Sequence, residues 1–215
     1  MSSKIQPDYG PQDPESIKIA LQENPDSATL LYNLGVSLIA QRRLDEAEKA
    51  FRDALALEPE IAEAYVQLGG LAMHRGDLDA CLEMNKKAAQ IRPRFAVPWG
   101  NIGFVYMQRQ EPDKAVKALK KALSLDPKFI QAHTTLGSAY LALGDPDGCI
   151  MQCMKAIEIE PMFGPAYNNI GLAYLEKGEV EKAVPYFEKA LETGFEVEKA
   201  VLEEIAPYRS GAQKP

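Results

Sequence analysis

Glycine recurs at a fixed interval through this chain of 215 residues, and that interval limits what the chain can fold into. Gly35, Gly69, Gly103, Gly137 and Gly171 stand 34 residues apart each time, with no insertion or deletion. Each glycine closes a similar stretch: Leu31-Tyr32-Asn33-Leu34, Tyr65-Val66-Gln67-Leu68, Trp99-Gly100-Asn101-Ile102, His133-Thr134-Thr135-Leu136 and Tyr167-Asn168-Asn169-Ile170. A period of this length, repeated five times, marks a stacked-repeat architecture in which each unit buries its apolar face against its neighbours.

Five units follow from the period, at residues 28–61, 62–95, 96–129, 130–163 and 164–197. Each begins with a predicted helix of about 14 residues, about 21 Å long at the α-helical rise. A short turn such as Arg75-Gly76-Asp77 or Leu143-Gly144-Asp145-Pro146 leads to a second helix, stopped in the first four units by Pro59, Pro93, Pro127 or Pro161. Proline cannot continue a helix and disfavours helical angles in the residue before it. The fifth unit has Phe195 after Thr193-Gly194 instead, so the regular array ends there. Residues 1–14, with Pro7, Gly10, Pro11 and Pro14, read as a flexible arm. Residues 15–27 read as a capping half-repeat helix, 198–207 as a C-terminal capping helix and 208–215 as a tail. Pro185, inside the last second helix, predicts a mild kink on its outer face.

Small residues form columns that let helices pair closely. The second helices carry Ala47, Cys81, Ala115, Cys149 and Ala183 in one column, predicted to lie opposite the glycines, and Ala54, Ala88, Ala122, Ala156 and Ala190 in another. Larger side chains there would hold two helices apart. Around them, Leu34, Leu68, Ile102, Leu136 and Ile170 fill the core with Leu31, Tyr65, Trp99, His133 and Tyr167, while Phe51, Leu119 and Phe187 enter from the second helix.

The spacing Trp/Tyr-x-x-Leu/Ile-Gly-x-x-Tyr, followed by Ala, Phe, Ala and Pro, resembles the tetratricopeptide repeat in all five units. The resemblance implies an all-α fold, a right-handed α-solenoid of helical hairpins whose first helices line a concave groove. It also implies a non-catalytic adaptor that binds a peptide or an amphipathic helix of a partner protein. The chaperone-tail adaptors of that family hold a terminal carboxylate with cations on successive first helices. The matching positions here are Tyr32, Val36, Gln67, Val97 and Asn101, so a carboxylate clamp is not expected.

Read as a groove, the first helices present Val36, Gly70, Phe104, Ser138 and Leu172 in one row. Ile39, Met73, Met107, Leu141 and Leu175 lie one turn later, and Tyr32, Val66, Gly100, Thr134 and Asn168 one turn earlier. The surface is apolar with almost no charge, and methionines re-pack around varied shapes. Core packing between repeats is the other reading of the methionine row. Beside these run Asn33, Gln67, Asn101, Thr135 and Asn169. An amide both donates and accepts, so such a row can pair with an extended peptide backbone, or simply with neighbouring helices. The expected groove residues are thus Tyr32, Asn33, Val36, Gln67, Met73, Asn101, Phe104, Met107, Thr135, Asn168, Asn169 and Leu172. A self-assembling scaffold is the alternative, with the groove accepting the arm or end helix of another copy.

Other chemistry finds little footing. The net charge of −7 disfavours nucleic acid, which needs a dense basic surface. The first residues lack an apolar signal core and the apolar runs are too short to span a bilayer, so a cytoplasmic chain without membrane insertion is expected. Three cysteines fit a reducing compartment better than a disulfide framework. His133, Cys149 and Cys153 are soft metal ligands in one unit, but they occupy core columns and lack a fourth partner, so neither metal nor cofactor is expected. No phosphate loop and no nucleophile with a base is evident, His74 reads as exposed, and an enzyme is not expected.

Overall fold

A computed structural model describes residues 13–209, all of them helix, turn or irregular chain with no strand. Most of the expected arm and tail, residues 1–12 and 210–215, lies outside the described residues. The helices are α1 (Pro14–Glu23), α2 (Ala28–Ala40), α3 (Leu44–Leu57), α4 (Ala62–His74), α5 (Leu78–Ile91), α6 (Ala96–Gln108), α7 (Pro112–Leu125), α8 (Ile130–Ala142), α9 (Pro146–Ile159), α10 (Gly164–Glu176), α11 (Val180–Glu192) and α12 (Lys199–Ile205). A short 3-10 turn, Ala206–Tyr208, follows. The chain forms two compact units divided between Pro98 and Trp99, inside α6.

In the first unit, α2 pairs with α3 and α4 with α5, and α1 packs on α2. Leu34, Leu38, Phe51, Ala54, Leu68 and Leu71 form its buried core, with Ile17 of α1 closing one side. In the second unit, α8 pairs with α9 and α10 with α11, while α12 contacts α11. Leu119, Ala122 and Leu136 are buried together with Trp99 and Tyr106 packed on them. Cys153, Ala156 and Ile170 form the next cluster, and Phe187, Ala190 and Ile205 the last. Burying a large apolar side chain contributes roughly 1.5–3 kcal/mol, so each hairpin depends on its neighbour for stability.

Local chemistry sets the helix ends. Glu58, Arg92, Asp126 and Glu160 follow the last residues of α3, α5, α7 and α9 with ψ of 93°, 86°, 95° and 92°, away from helical values. Each precedes a proline, whose ring disfavours the helical region there. The turns inside the hairpins repeat as well. Arg42, Gly76, Gln110, Gly144 and Gly178 all have positive φ, between 59° and 76°. Asp77 and Asp145 then cap α5 and α9, accepting from Ala80 N at 2.9 Å and Gly148 N at 2.8 Å.

The glycine column works differently from the sequence-based expectation. A Cβ on Gly35 would lie 2.6 Å from the Phe51 ring, on Gly103 2.4 Å from Leu119 Cγ, and on Gly171 2.6 Å from Phe187 Cζ. The glycines therefore face the large-residue column one turn beyond the expected small one. The small column still matters, since the backbone oxygens of Cys81 and Cys149 lie 3.5 and 3.3 Å from the same point at Gly69 and Gly137. The second repeat fills its large position with Asn85, which is fully buried and donates from Nδ2 to Cys81 O at 2.9 Å. Pro185 lies inside α11 with an exposed ring.

Candidate functional site

The first helices α2, α4, α6, α8 and α10 contain no lysine or arginine. Their core-facing residues are dictated by the hairpin packing, and what remains outward decides what they can bind.

In the first unit, Val36 is 41% exposed, and Gly70 is exposed with nothing within 4 Å of where a Cβ would stand. Asn33, Gln67 and Met73 are half-buried. Tyr32 turns inward: its ring lies 5.6 Å from that of Phe51. Burial raises its phenol above the usual value, while a hydrogen bond with Gln67 acts in the opposite direction and the Glu63 charge adds to the rise. Tyr32 and Gln67 are therefore partly engaged in joining α2 to α4.

In the second unit, Phe104 is 41% exposed on α6. Asn101 and Met107 beside it are half-buried, as are Thr135, Asn168, Asn169 and Leu172 on α8 and α10. Two of the polar side chains are used within the fold. Asn169 Nδ2 donates to Ser138 Oγ at 2.8 Å and to Thr134 O at 3.4 Å, tying α10 to α8. Thr135 Oγ1 donates to Gln131 O at 2.7 Å within its own helix. The Asn169 main-chain oxygen in turn accepts from Cys149 Sγ at 3.5 Å, tying α9 to α10.

Two of the expected rows run partly inside the fold. Gly100 is buried, and Phe129 fills the space a side chain would occupy, 2.6 Å from its Cβ position. Thr134 is buried too. In the later row, Ile39, Met107, Leu141 and Leu175 pack against the core clusters. Sequence periodicity places such residues on one helix side, but the adjoining hairpin and loop cover part of that side.

His133 occupies the column of Trp99 and Tyr167 and shares a role with Tyr167. Its Nε2 is 3.0 Å from Pro127 O, as Tyr167 Oη is 3.0 Å from Pro161 O. Both bonds tie a first helix to the loop before it. Trp99 Nε1, in the same column, is buried without a partner. Cys149 and Cys153 are fully buried. The neighbouring Cys149 sulfur and burial together push the Cys153 thiol far above its usual range, which leaves it unreactive at neutral pH. Among the described residues, no group of three or more His, Cys, Asp or Glu could hold a metal ion. His74 is exposed at the end of α4. No described helix is long and apolar enough to cross a membrane.

Sequence profiles described as TPR or tetratricopeptide repeat match residues 15–56 and 32–94, 103–144, 130–161 and 164–193. The chain is a tetratricopeptide-repeat protein. Its fold class is the all-α solenoid of helical hairpins that the repeat spacing implied. Among solved structures it is similar to MamA, with 32% identity and a TM-score of 0.65 over 74% of this chain and 94% of that one. It is also similar to YrrB, described as a TPR protein with an unusual peptide-binding site, at 24% identity and a TM-score of 0.67, covering 84% and 93%. The type IV pilus biogenesis factor PilW shares the fold at 20% identity and a TM-score of 0.75, covering 84% and 85%. No curated protein matches significantly. Membership in the tetratricopeptide-repeat family places the chain among protein-interaction adaptors and scaffolds.

Proposed function

We propose that this tetratricopeptide-repeat protein is a non-catalytic adaptor whose first-helix faces hold an apolar peptide or amphipathic helix of a partner. The observation that carries the reading is Phe104, a large aromatic held 41% exposed on a helix without charge. Full burial of such a ring is worth roughly 1.5–3 kcal/mol, so leaving 41% of it in water forgoes roughly 1 kcal/mol, which a partner's apolar side chain recovers in part. Half-buried Met107 and Leu172 give the same unit adaptable apolar contacts, while Asn101, Thr135, Asn168 and Asn169 lie at the polar positions. In the first unit, Val36 with Asn33, Gln67 and Met73 forms the corresponding face.

The absence of lysine and arginine from all five first helices supports an uncharged ligand. An acidic segment or a free carboxylate would find no cation there, so the favoured ligand is apolar with its backbone polar groups met by amides. A cytoplasmic setting fits three free cysteines.

An affinity capture from the native lysate, run with the wild-type chain and with Asn101→Ala/Phe104→Ala, tests the proposal. The variant is expected to lose at least one captured protein that the wild type retains, at unchanged helicity and melting temperature. An identical set of captured proteins would set the groove reading aside.

A further inference from the structure

The second helices differ from the first in charge, and in the second unit they enclose a groove of their own. It lies between α7 and α9 above α8 and has a volume of about 530 Å³, within the range of about 300–1,000 Å³ usual for ligand pockets. Leu123, Leu136 and Ile159 give it apolar walls, and Lys120 and Lys155 stand at its exposed edge.

Two polar side chains form part of the lining, and both are more than nine-tenths buried: His133 at 5% exposure and Gln152 at 7%. His133 Nδ1 is 2.9 Å from Gln152 Oε1, and its Nε2 is 3.0 Å from Pro127 O. The two contacts fix the imidazole between the loop before α8 and the Gln152 amide of α9. One end of the Gln152 amide is then occupied. The other end makes no hydrogen bond among the described residues. The buried side-chain polar atoms without a partner among the described residues include Trp99 Nε1 but no atom of Gln152, so that end opens to the groove, where a ligand group takes the place of water.

Charge identifies what would enter. Lys120 and Lys155 make no ion pair among the described residues, in a chain whose net charge is −7. Lys120 instead rests over the Tyr140 ring, with its ammonium 5.6 Å from the centroid. Glu158 is the one carboxylate in the lining, a turn beyond Lys155.

We propose that this groove binds an acidic peptide segment of a partner protein, at a site separate from the first-helix face. An apolar side chain of the segment rests on Leu123, Leu136 and Ile159. A backbone polar group of the segment pairs with the free end of the Gln152 amide, and flanking aspartate or glutamate carboxylates pair with Lys120 and Lys155. The two sites then select opposite ligands: uncharged apolar segments on the first helices and acidic ones between α7 and α9.

The test is an array of octapeptides alternating glutamate or aspartate with leucine, isoleucine or phenylalanine, beside a matched array with lysine in place of the acids. The bound peptides are then measured by fluorescence anisotropy at low and high salt. The full chain is expected to hold acidic peptides in preference to lysine ones, more weakly at high salt. Lys120→Glu/Lys155→Glu is expected to weaken binding about tenfold or more, and both positions are exposed enough to leave the fold intact, which circular dichroism checks. Phe104→Ala is expected to leave the binding unchanged. Equal retention of both arrays, binding that survives the double charge reversal, or binding lost in Phe104→Ala would each overturn the proposal.

Discussion

At the scale of single residues, the same amino acid has opposite roles in one chain. Gly171 faces the fully buried ring of Phe187, so that any Cβ there would lie within 2.8 Å of three ring atoms. Gly70, also in a helix interior, has open space around it. Overpacking typically costs about 1–3 kcal/mol, whereas alanine is about 1 kcal/mol better than glycine in an exposed helix interior. Gly171→Ala should therefore lower stability and Gly70→Ala raise it, each read from denaturant midpoints at constant m-value. The recurrence of Gly171 at the 34-residue period was legible in the sequence, and so was its packing role. Its opposing residue was not, because the register between paired helices is set by how side chains interdigitate, which a row of positions along one helix leaves open. The same limit hid Phe129 over Gly100 and the inward turn of Tyr32. It also concealed the use of Asn169 in joining α8 to α10, since an amide at a repeat position has the same appearance whether its partner is a neighbouring helix or a ligand.

At the scale of helices and turns, local sequence chemistry sets several helix ends. The prolines after α3, α5, α7 and α9 fix the preceding residue in extended angles, and the aspartates before α5 and α9 cap them. The turn inside each hairpin shows a feature with a weaker signal. Three of its five repeats have glycine at positive φ, but Arg42 and Gln110 adopt φ 59° at the equivalent place. A side chain in the left-handed region costs roughly 1–2 kcal/mol, and only the demand of the hairpin keeps these two residues there. Gln110→Gly should therefore stabilise the chain by about 1 kcal/mol, seen as a higher denaturant midpoint. No change, or a loss, would mean that the Gln110 side chain makes a contact worth as much as the strain.

At the scale of the whole chain, the repeat decides the fold and leaves the partner open. The packing columns account for Trp99, Ile102, Gly103 and Tyr106, and the lone tryptophan serves the core although its Nε1 has no partner. What the columns do not use is divided by charge: first helices without lysine or arginine, and lysine-bearing second helices around a groove. Sequence alone pointed to the first set through periodicity. The second is not visible in the sequence because the groove is built from α7, α8 and α9 together, and a lysine on a helix is ordinarily a solvated position. The central claim is that recognition occurs on the first-helix face around Phe104. Placing the photoreactive residue p-benzoylphenylalanine at position 104, and separately at the exposed end-helix position of Glu204, tests it most directly after illumination in the native lysate. A discrete covalent adduct with a partner protein is predicted from position 104 and none from position 204. Adducts that form equally at both positions, or at neither in a chain that retains its helicity, would contradict it.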